Sequence, residues 1–388
     1  MNLAYFVGNF PCWSEQFIRR EAASLARRGH EVVLWPCEKP LPDARWHRVD
    51  GSPLPPLLSG KSHFGCKALR ALLRAGVLQT RRVPQVLRAL ETLPFTPDIF
   101  VAQFAFLPAL IAAAASAETG IPFCQWIHAK DIWTPWSPGI SAALAAKKIF
   151  CCNRAALEQF KLYCAANLAQ TPEVHLLHHP LPETLLQAEN VPALDRDQHG
   201  FIDILSAGRF VKKKGFTLLL EAFALLLNDF PAAKLQLIGE GEEHLALGKK
   251  IRALALPPEA ITITRTMEPD KFVARLRAAR LVVAASTVAP DGDRDGIPNI
   301  LLEAMALGVP VAGTAVGGIP EVLDNSRGWL AEADNPHALA AVMRDALSAP
   351  EECQRRARAA RDYVCQHFCE EATVAPLEQL LAEAAGRA

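Results

Sequence analysis

The chain has 388 residues, 51% of them apolar and 21% charged, and its 41 basic and 41 acidic residues cancel to a net charge of +0. That length exceeds one comfortable hydrophobic core and predicts two domains of ordinary size. The composition excludes a disordered chain, and the balanced charge gives no global field that would draw the molecule to nucleic acid.

In chain order, short apolar runs alternate with helical patterns, the sign of parallel α/β architecture. Asn2–Val7 predicts a strand, Ser14–Arg28 a helix stopped by Gly29, and Glu31–Trp35 the next strand. The start Met1–Val7 lacks the basic-then-apolar signature of a signal peptide. Residues 51–90 then carry seven Lys or Arg and no acid. Within 62–82, Lys67, Arg70, Arg74 and Arg81 recur along one helical face beside Leu69, Leu72 and Leu73. Such a face suits either solvent or the surface of an anionic membrane.

Phe100–Ala117 is apolar enough to suggest a membrane span. However, Gln103 interrupts it and Pro108 falls where a helix would begin, so a buried strand and a core helix are expected. Phe123–Ile127 and Lys148–Cys152 continue the strand series. The proline-rich stretch 171–200 reads as a linker. A second alternation follows: strands Ile202–Ala207, Lys234–Ile238, Ile261–Thr264, Leu281–Ala285 and Pro310–Thr314, with helices Phe216–Asn228, Asp270–Ala279 and one around Glu303. After Pro336 the pattern is helical. Ten scattered cysteines show neither Cys-x-x-Cys nor a zinc spacing, which suits a reduced cytoplasmic chain. Val7-Gly8-Asn9-Phe10-Pro11 after the first strand is no dinucleotide fingerprint, which argues against a dehydrogenase.

Two segments of the second half carry chemistry. Gly208-Arg209-Phe210-Val211-Lys212-Lys213-Lys214-Gly215-Phe216 joins a strand to a helix, at the strand end where doubly wound sheets bind ligands. Arg209 offers a planar fork for phosphate oxygens and a lysine offers a mobile charge. Position alone does not choose among the three lysines, and a solvated charge run is the plain alternative. Asp291-Gly292-Asp293-Arg294-Asp295-Gly296-Ile297-Pro298-Asn299 then leads into the helix holding Glu303. A carboxylate accepts two hydroxyl protons and suits a vicinal diol, Gly296 permits close approach, and Pro298 and Asn299 suit a helix start. An unpaired acid among Leu301, Leu302, Ala304 and Met305 would be costly, whereas Asp295 could simply pair with Arg294. The Asp291–Asp295 alternation is a poor calcium loop, because the later ligands are missing. Gly317-Gly318-Ile319-Pro320-Glu321 either shapes the pocket or is a plain strand-to-helix turn.

Together, the Gly208–Phe216 run and the Asp295–Glu303 segment resemble glycosyltransferase family four, over nearly the whole chain and most strongly from about 202 to 330. The resemblance implies an α/β GT-B fold, two Rossmann-like doubly wound domains facing across a cleft. It implies an acceptor domain over 1–185 with a C-terminal helix 371–388 crossing back, a linker 186–200, and a donor domain 201–370. The family places an Arg five positions before a Lys-Gly, which selects Arg209 and Lys214 as the pair that holds the donor diphosphate and stabilises the leaving phosphate. Its Glu-x7-Glu pattern puts Glu303 on the ribose. It puts Asp295, one methylene shorter than the usual Glu, on the donor sugar. Gly208, Gly296, Ile297, Pro298 and Asn299 complete the implied donor site.

In the first half, His128-Ala129-Lys130-Asp131 is similar to the family's His-Gly-x-Asp, with Ala129 for Gly. The resemblance puts His128 near the donor sugar as a catalytic residue beside Arg209, Lys214 and Asp295. A structural histidine is the alternative. Phe10-Pro11-Cys12-Trp13-Ser14-Glu15-Gln16-Phe17 resembles the opening of a subgroup that builds bacterial surface polysaccharides, with Gln16 for Thr. It suggests an acceptor loop of Ser14 and Glu15, with Asp131, and Ser14 as a helix N-cap.

The implied activity is retaining transfer from a nucleotide-diphosphate sugar to a glycan or lipid-linked acceptor, with no metal and no cofactor beyond that co-substrate. Residues 61–88 would give peripheral membrane contact, and no nucleic acid is involved. An epimerase of the same fold and a non-catalytic nucleotide-sugar-binding subunit are the rival readings.

Overall fold

A computed structural model describes residues 1–8, 10, 15–37, 46–52, 90, 93, 95–134, 145–167, 172–187 and 202–387. Ser14, the basic stretch 61–88 and residues 188–200 of the expected linker lie outside them. The chain divides into two units: Met1–Pro180 with Glu370–Ala388, and Leu181–Cys369.

The first unit contains β1 (Asn2–Val7), α1 (Gln16–Arg27), β2 (Glu31–Pro36), β3 (His47–Arg48), β4 (Ile99–Gln103) and α2 (Leu107–Thr119). It continues with β5 (Phe123–Ile127), α3 (Ala129–Trp133), β6 (Lys148–Cys151), α4 (Arg154–Asn167) and β7 (Val174–Leu176). The strands form one sheet in the order β3-β2-β1-β4-β5-β6-β7, parallel except where β3 pairs with β2. Strand β1 is buried on both faces, as parallel strands under crossover helices must be. Ala4 and Phe6 join Val33, Trp35, Phe100 and the α2 alanines on one face. Leu3, Tyr5 and Val7 pack on the other with Leu34, Ile99, α1 and the last helix of the chain.

The apolar stretch from residue 100 is therefore a strand and a core helix, with Pro108 in the first turn and Gly120 closing the helix in the left-handed conformation. Among the described residues no helix is long and apolar enough to cross a membrane. Helix α1 begins at Gln16 rather than Ser14, with Glu15 at the N-cap position. Its buried face repeats at Ile18, Ala22 and Leu25, and that face also holds Glu21.

The second unit contains α5 (Glu183–Leu186), β8 (Ile202–Ala207), α6 (Phe216–Leu226), β9 (Leu235–Ile238), α7 (His244–Ala253), β10 (Ile261–Thr264) and α8 (Pro269–Ala278). It continues with β11 (Ala279–Ala284), α9 (Asn299–Ala306), β12 (Val311–Thr314), α10 (Ile319–Val322), β13 (Trp329–Ala331), α11 (Pro336–Ser348) and α12 (Pro350–His367). Its parallel sheet runs β10-β9-β8-β11-β12-β13. The order reverses between β8 and β11, so the loops after those two strands leave the sheet side by side. Residues 181–185, expected with the first domain, belong here. The Leu181 N–H donates to Phe368 O at 2.9 Å, and Leu185 packs with Leu276 and Met305. The last helix, α13 (Glu370–Ala384), returns to the first unit.

Candidate active site

The loop Gly208–Gly215 leaves β8 and is pinned by Phe210, which is fully buried and stacks edge-on against Phe216 at 4.9 Å. Lys212–Lys214 make one 3-10 turn, closed by Gly215 at φ 61°. A Cβ at Gly215 would lie 1.8 Å from Ala285 O, so only glycine lets this turn sit against the end of β11.

The turn separates the lysines. Lys212 is exposed. Lys213 Nζ lies 3.0 Å from Asp293 Oδ2, and Lys214 Nζ lies 2.9 Å from Asp295 Oδ2. The Lys214 stem crosses Gly208, where an added Cβ would already be 3.4 Å from Lys214 Cε. Arg209 is exposed, and its guanidinium has no ion-pair partner among the described residues.

Asp295 is 5% exposed. Its Oδ2 accepts from Ser286 Oγ at 2.7 Å as well as from Lys214. Arg294 does not take it, as the chain order had suggested, since Arg294 Nε donates to Gly292 O at 3.2 Å. Burial alone would push the Asp295 carboxyl up. Lys214 and Lys213, with the Ser286 hydroxyl, outweigh burial and hold it below its ordinary range. Lysines thus sit on Asp293 and Asp295, two of the carboxylates a calcium loop would need.

The Gly317-Gly318 turn backs this loop. A Cβ at Gly317 would lie 1.8 Å from Asp295 O, and the Gly318 N–H donates to Gly296 O at 3.0 Å. Ile297 meets the same turn, 2.8 Å from where a Gly318 Cβ would stand. Pro298 takes the N-cap position of α9 and Asn299 starts the helix. Glu303 lies half-buried on the second turn of α9. A pocket here is lined by Ser206, Ala207, Lys214, Phe216, Ser286, Asp295, Pro298 and Ile300. It joins the basic and acidic loops that lie 80 residues apart in sequence.

In the first unit, His128 follows β5 and opens α3, and its backbone N–H donates to Asp131 Oδ2 at 2.9 Å. Asp131 is fully buried and braces the turn from inside. Burial pushes its carboxyl up to about 7, partly offset by the N–H groups of His128 and Ala105.

The sequence reading missed the network behind His128. Gln103, at the end of β4, places Oε1 at 3.0 Å from His128 Nε2 and donates from Nε2 to Glu21 Oε1, also at 3.0 Å. Tyr5 donates to the same Glu21 oxygen at 2.9 Å, and His179 Nδ1 lies 3.1 Å from Glu21 Oε2. Burial raises the Glu21 carboxyl to about 8, with the Tyr5 hydrogen bond among those that pull it back. Burial likewise holds His128 well below its usual range and His179 down at about 3, so both imidazoles are neutral. Two signals were available in the sequence. Gln103 breaks an apolar strand, and Glu21 falls on the apolar face of α1.

The family profile of Glycosyl transferases group 1 matches residues 195–363. The second unit is a group 1 glycosyl transferase domain. Beyond that domain, the chain is 25% identical to the amylovoran biosynthesis glycosyltransferase AmsK of Erwinia amylovora, over 88% of this chain and 90% of the relative. It is 24% identical to the putative colanic acid biosynthesis glycosyltransferase WcaL of Salmonella typhimurium, over 98% of this chain and 99% of that one. Among solved structures, Anabaena HepE in complex with UDP-glucose superposes with a TM-score of 0.69 at 18% identity, covering 100% of both chains. The resemblance to glycosyltransferase family four thus runs from the motifs along nearly the whole chain, and both units have the doubly wound α/β build of the GT-B fold.

Proposed function

We propose that this glycosyltransferase moves a sugar, with retention, from a nucleoside-diphosphate donor to a glycan or lipid-linked acceptor of a surface polysaccharide. The observation that carries the reading is the meeting of two oppositely charged loops, where Lys214 Nζ stands 2.9 Å from Asp295 Oδ2 beside an exposed Arg209. Arg209 and Lys214 would neutralise charge building on the departing diphosphate. Asp295 and Glu303 would accept hydroxyls of the donor sugar and the ribose. Gly208 and the segment Gly296-Ile297-Pro298-Asn299 would let the backbone and the start of α9 approach the phosphates. The basic pair supplies the neutralisation a metal would otherwise provide, so catalysis is proposed to be metal-independent.

The complex of HepE with UDP-glucose supports that nucleotide sugar as the first donor to try. The names of AmsK and WcaL support an exopolysaccharide acceptor. A lipid-linked acceptor would give the basic stretch 61–88 a use at an anionic, cytoplasmic membrane face, at roughly 1 kcal/mol per basic residue near the surface.

The test is transfer by Arg209→Ala and Glu303→Ala. Each removes a charge-assisted contact of about 1.5–3 kcal/mol, so turnover should fall roughly tenfold to a hundredfold or more, with an unchanged far-UV spectrum. Near-normal turnover in either variant would falsify the donor-site assignment. Donor turnover with no acceptor present would favour the epimerase instead.

A further inference from the structure

The carboxyl ends of β5, β6 and β7 bring His128, Cys152 and His179 together inside the first unit. One donor atom from each lies within 4.8 Å of the other two. We propose that these three side chains bind a single thiophilic divalent cation, zinc by their chemistry, with Glu21 and Gln103 as the supporting shell.

Two imidazoles and a thiolate are a borderline-soft donor set, which selects zinc over calcium or magnesium. Tetrahedral zinc at roughly 2.0–2.1 Å from nitrogen and 2.3 Å from sulfur spaces its donors about 3.3–3.7 Å apart. The widest pair must therefore close by about an ångström. Cys152, half-buried at the strand end, has one side-chain torsion with which to do so.

The surroundings are those of a metal site. A ligating histidine ordinarily gives its second nitrogen to a carboxylate or carbonyl oxygen, which fixes the ring. His179 Nδ1 lies 3.1 Å from Glu21 Oε2, while its Nε2 is buried with no hydrogen-bond partner among the described residues. That orphaned nitrogen is the clearest pointer to an absent ligand. His128 Nε2 lies 3.0 Å from Gln103 Oε1, and Glu21 orients Gln103 in turn. One carboxyl group, that of Glu21, therefore supports both imidazoles, whose ring centroids lie 5.3 Å apart. On binding, the Cys152 thiol gives up its proton to solvent, and water or a substrate oxygen takes the fourth position.

This site needs no role for His128 in sugar transfer. That the cation would also silence transfer rests on the proposed function together with the family resemblance, which puts His128 near the donor sugar.

The experiment is titration of the full-length protein with Co2+ as the optical probe, followed by displacement with Zn2+. One equivalent should bind with a thiolate-to-cobalt charge-transfer band in the near ultraviolet, and Zn2+ should abolish that band. Cys152→Ser should lose the band while keeping basal transfer. Glu21→Gln should weaken binding roughly tenfold to a hundredfold. No band, or an unchanged band in Cys152→Ser, overturns the site. Zinc binding without loss of transfer leaves the site standing and overturns the role of His128 in the reaction.

Discussion

Asp295 takes the place where the family has a longer acid, and the local structure accommodates the shorter arm. Lys214 reaches it from the basic loop and Ser286 from the end of β11, so its carboxylate is satisfied without any ligand. Under the proposed function, a donor would compete for Lys214, or share it, before the phosphate charge is met. Asp295→Asn removes a partner from that contact and should cost about 1–3 kcal/mol of stability, the range for leaving a buried group unsatisfied. Urea denaturation measures it. The double variant with Lys214→Ala should cost less than the sum of the two singles, because each single already removes the shared interaction. Full additivity would mean that the two side chains do not act on one another in solution. The same pair explains why sequence position alone could not choose a lysine. Lys212, Lys213 and Lys214 are equivalent as letters, and only the 3-10 turn closed at Gly215 sends each in its own direction.

The loops themselves are held by backbone as much as by side chains. Gly317 is at φ 57° and stands where any Cβ would strike Asp295 O. Gly317→Ala should therefore displace the acidic loop and lower transfer at least tenfold, although residue 317 carries no functional group. Its kcat and KM, measured against Glu303→Ala, check this. Wild-type kinetics would mean that the turn does not position Asp295. Most long elements were legible, because buried parallel strands such as Leu3–Val7 and Ile99–Gln103 are continuous apolar runs. β3, β7 and β13 were not, since two or three residues such as His47–Arg48 show no period. The two charged loops were legible by motif, but their meeting depends on β8 and β11 being neighbours, which local pattern does not encode. The Glu21 network and the His128, Cys152 and His179 cluster were invisible for the same reason. Their members come from β1, four other strand ends and one helix, with no characteristic spacing.

Across the whole molecule the two units differ in how they hold charge. The first buries acids without a cation. Burial raises Glu21 from 4.5 to about 8 and Asp131 from 3.8 to about 7. Between the unfolded and folded values, the native state holds protons that the unfolded chain has released. The stability these groups give is therefore full below the unfolded values and is lost as pH rises through the folded ones. Asp295 in the second unit has the opposite sign, because its lowered value makes its contribution vanish only as strong acid protonates it. Thermal melts followed by tryptophan fluorescence, to which the second unit contributes Trp329 and the first unit every other tryptophan, should fall from pH 5 to pH 8.5. Glu21→Gln should flatten that slope, and a slope unchanged by it would remove Glu21 as the cause.

The return of α13 to the first unit also sets the order in which the chain can finish folding during synthesis. β1 and α1 emerge early, yet Val374, Leu377 and Leu381, which cover the Leu3, Tyr5 and Val7 face, emerge last. Arg28 and His30 likewise wait for Glu378. The second unit lies wholly between these segments and can close while its predecessor still lacks a wall. That part of the apolar sheet face thus stays uncovered while the second unit is made, open to non-native contacts until α13 follows.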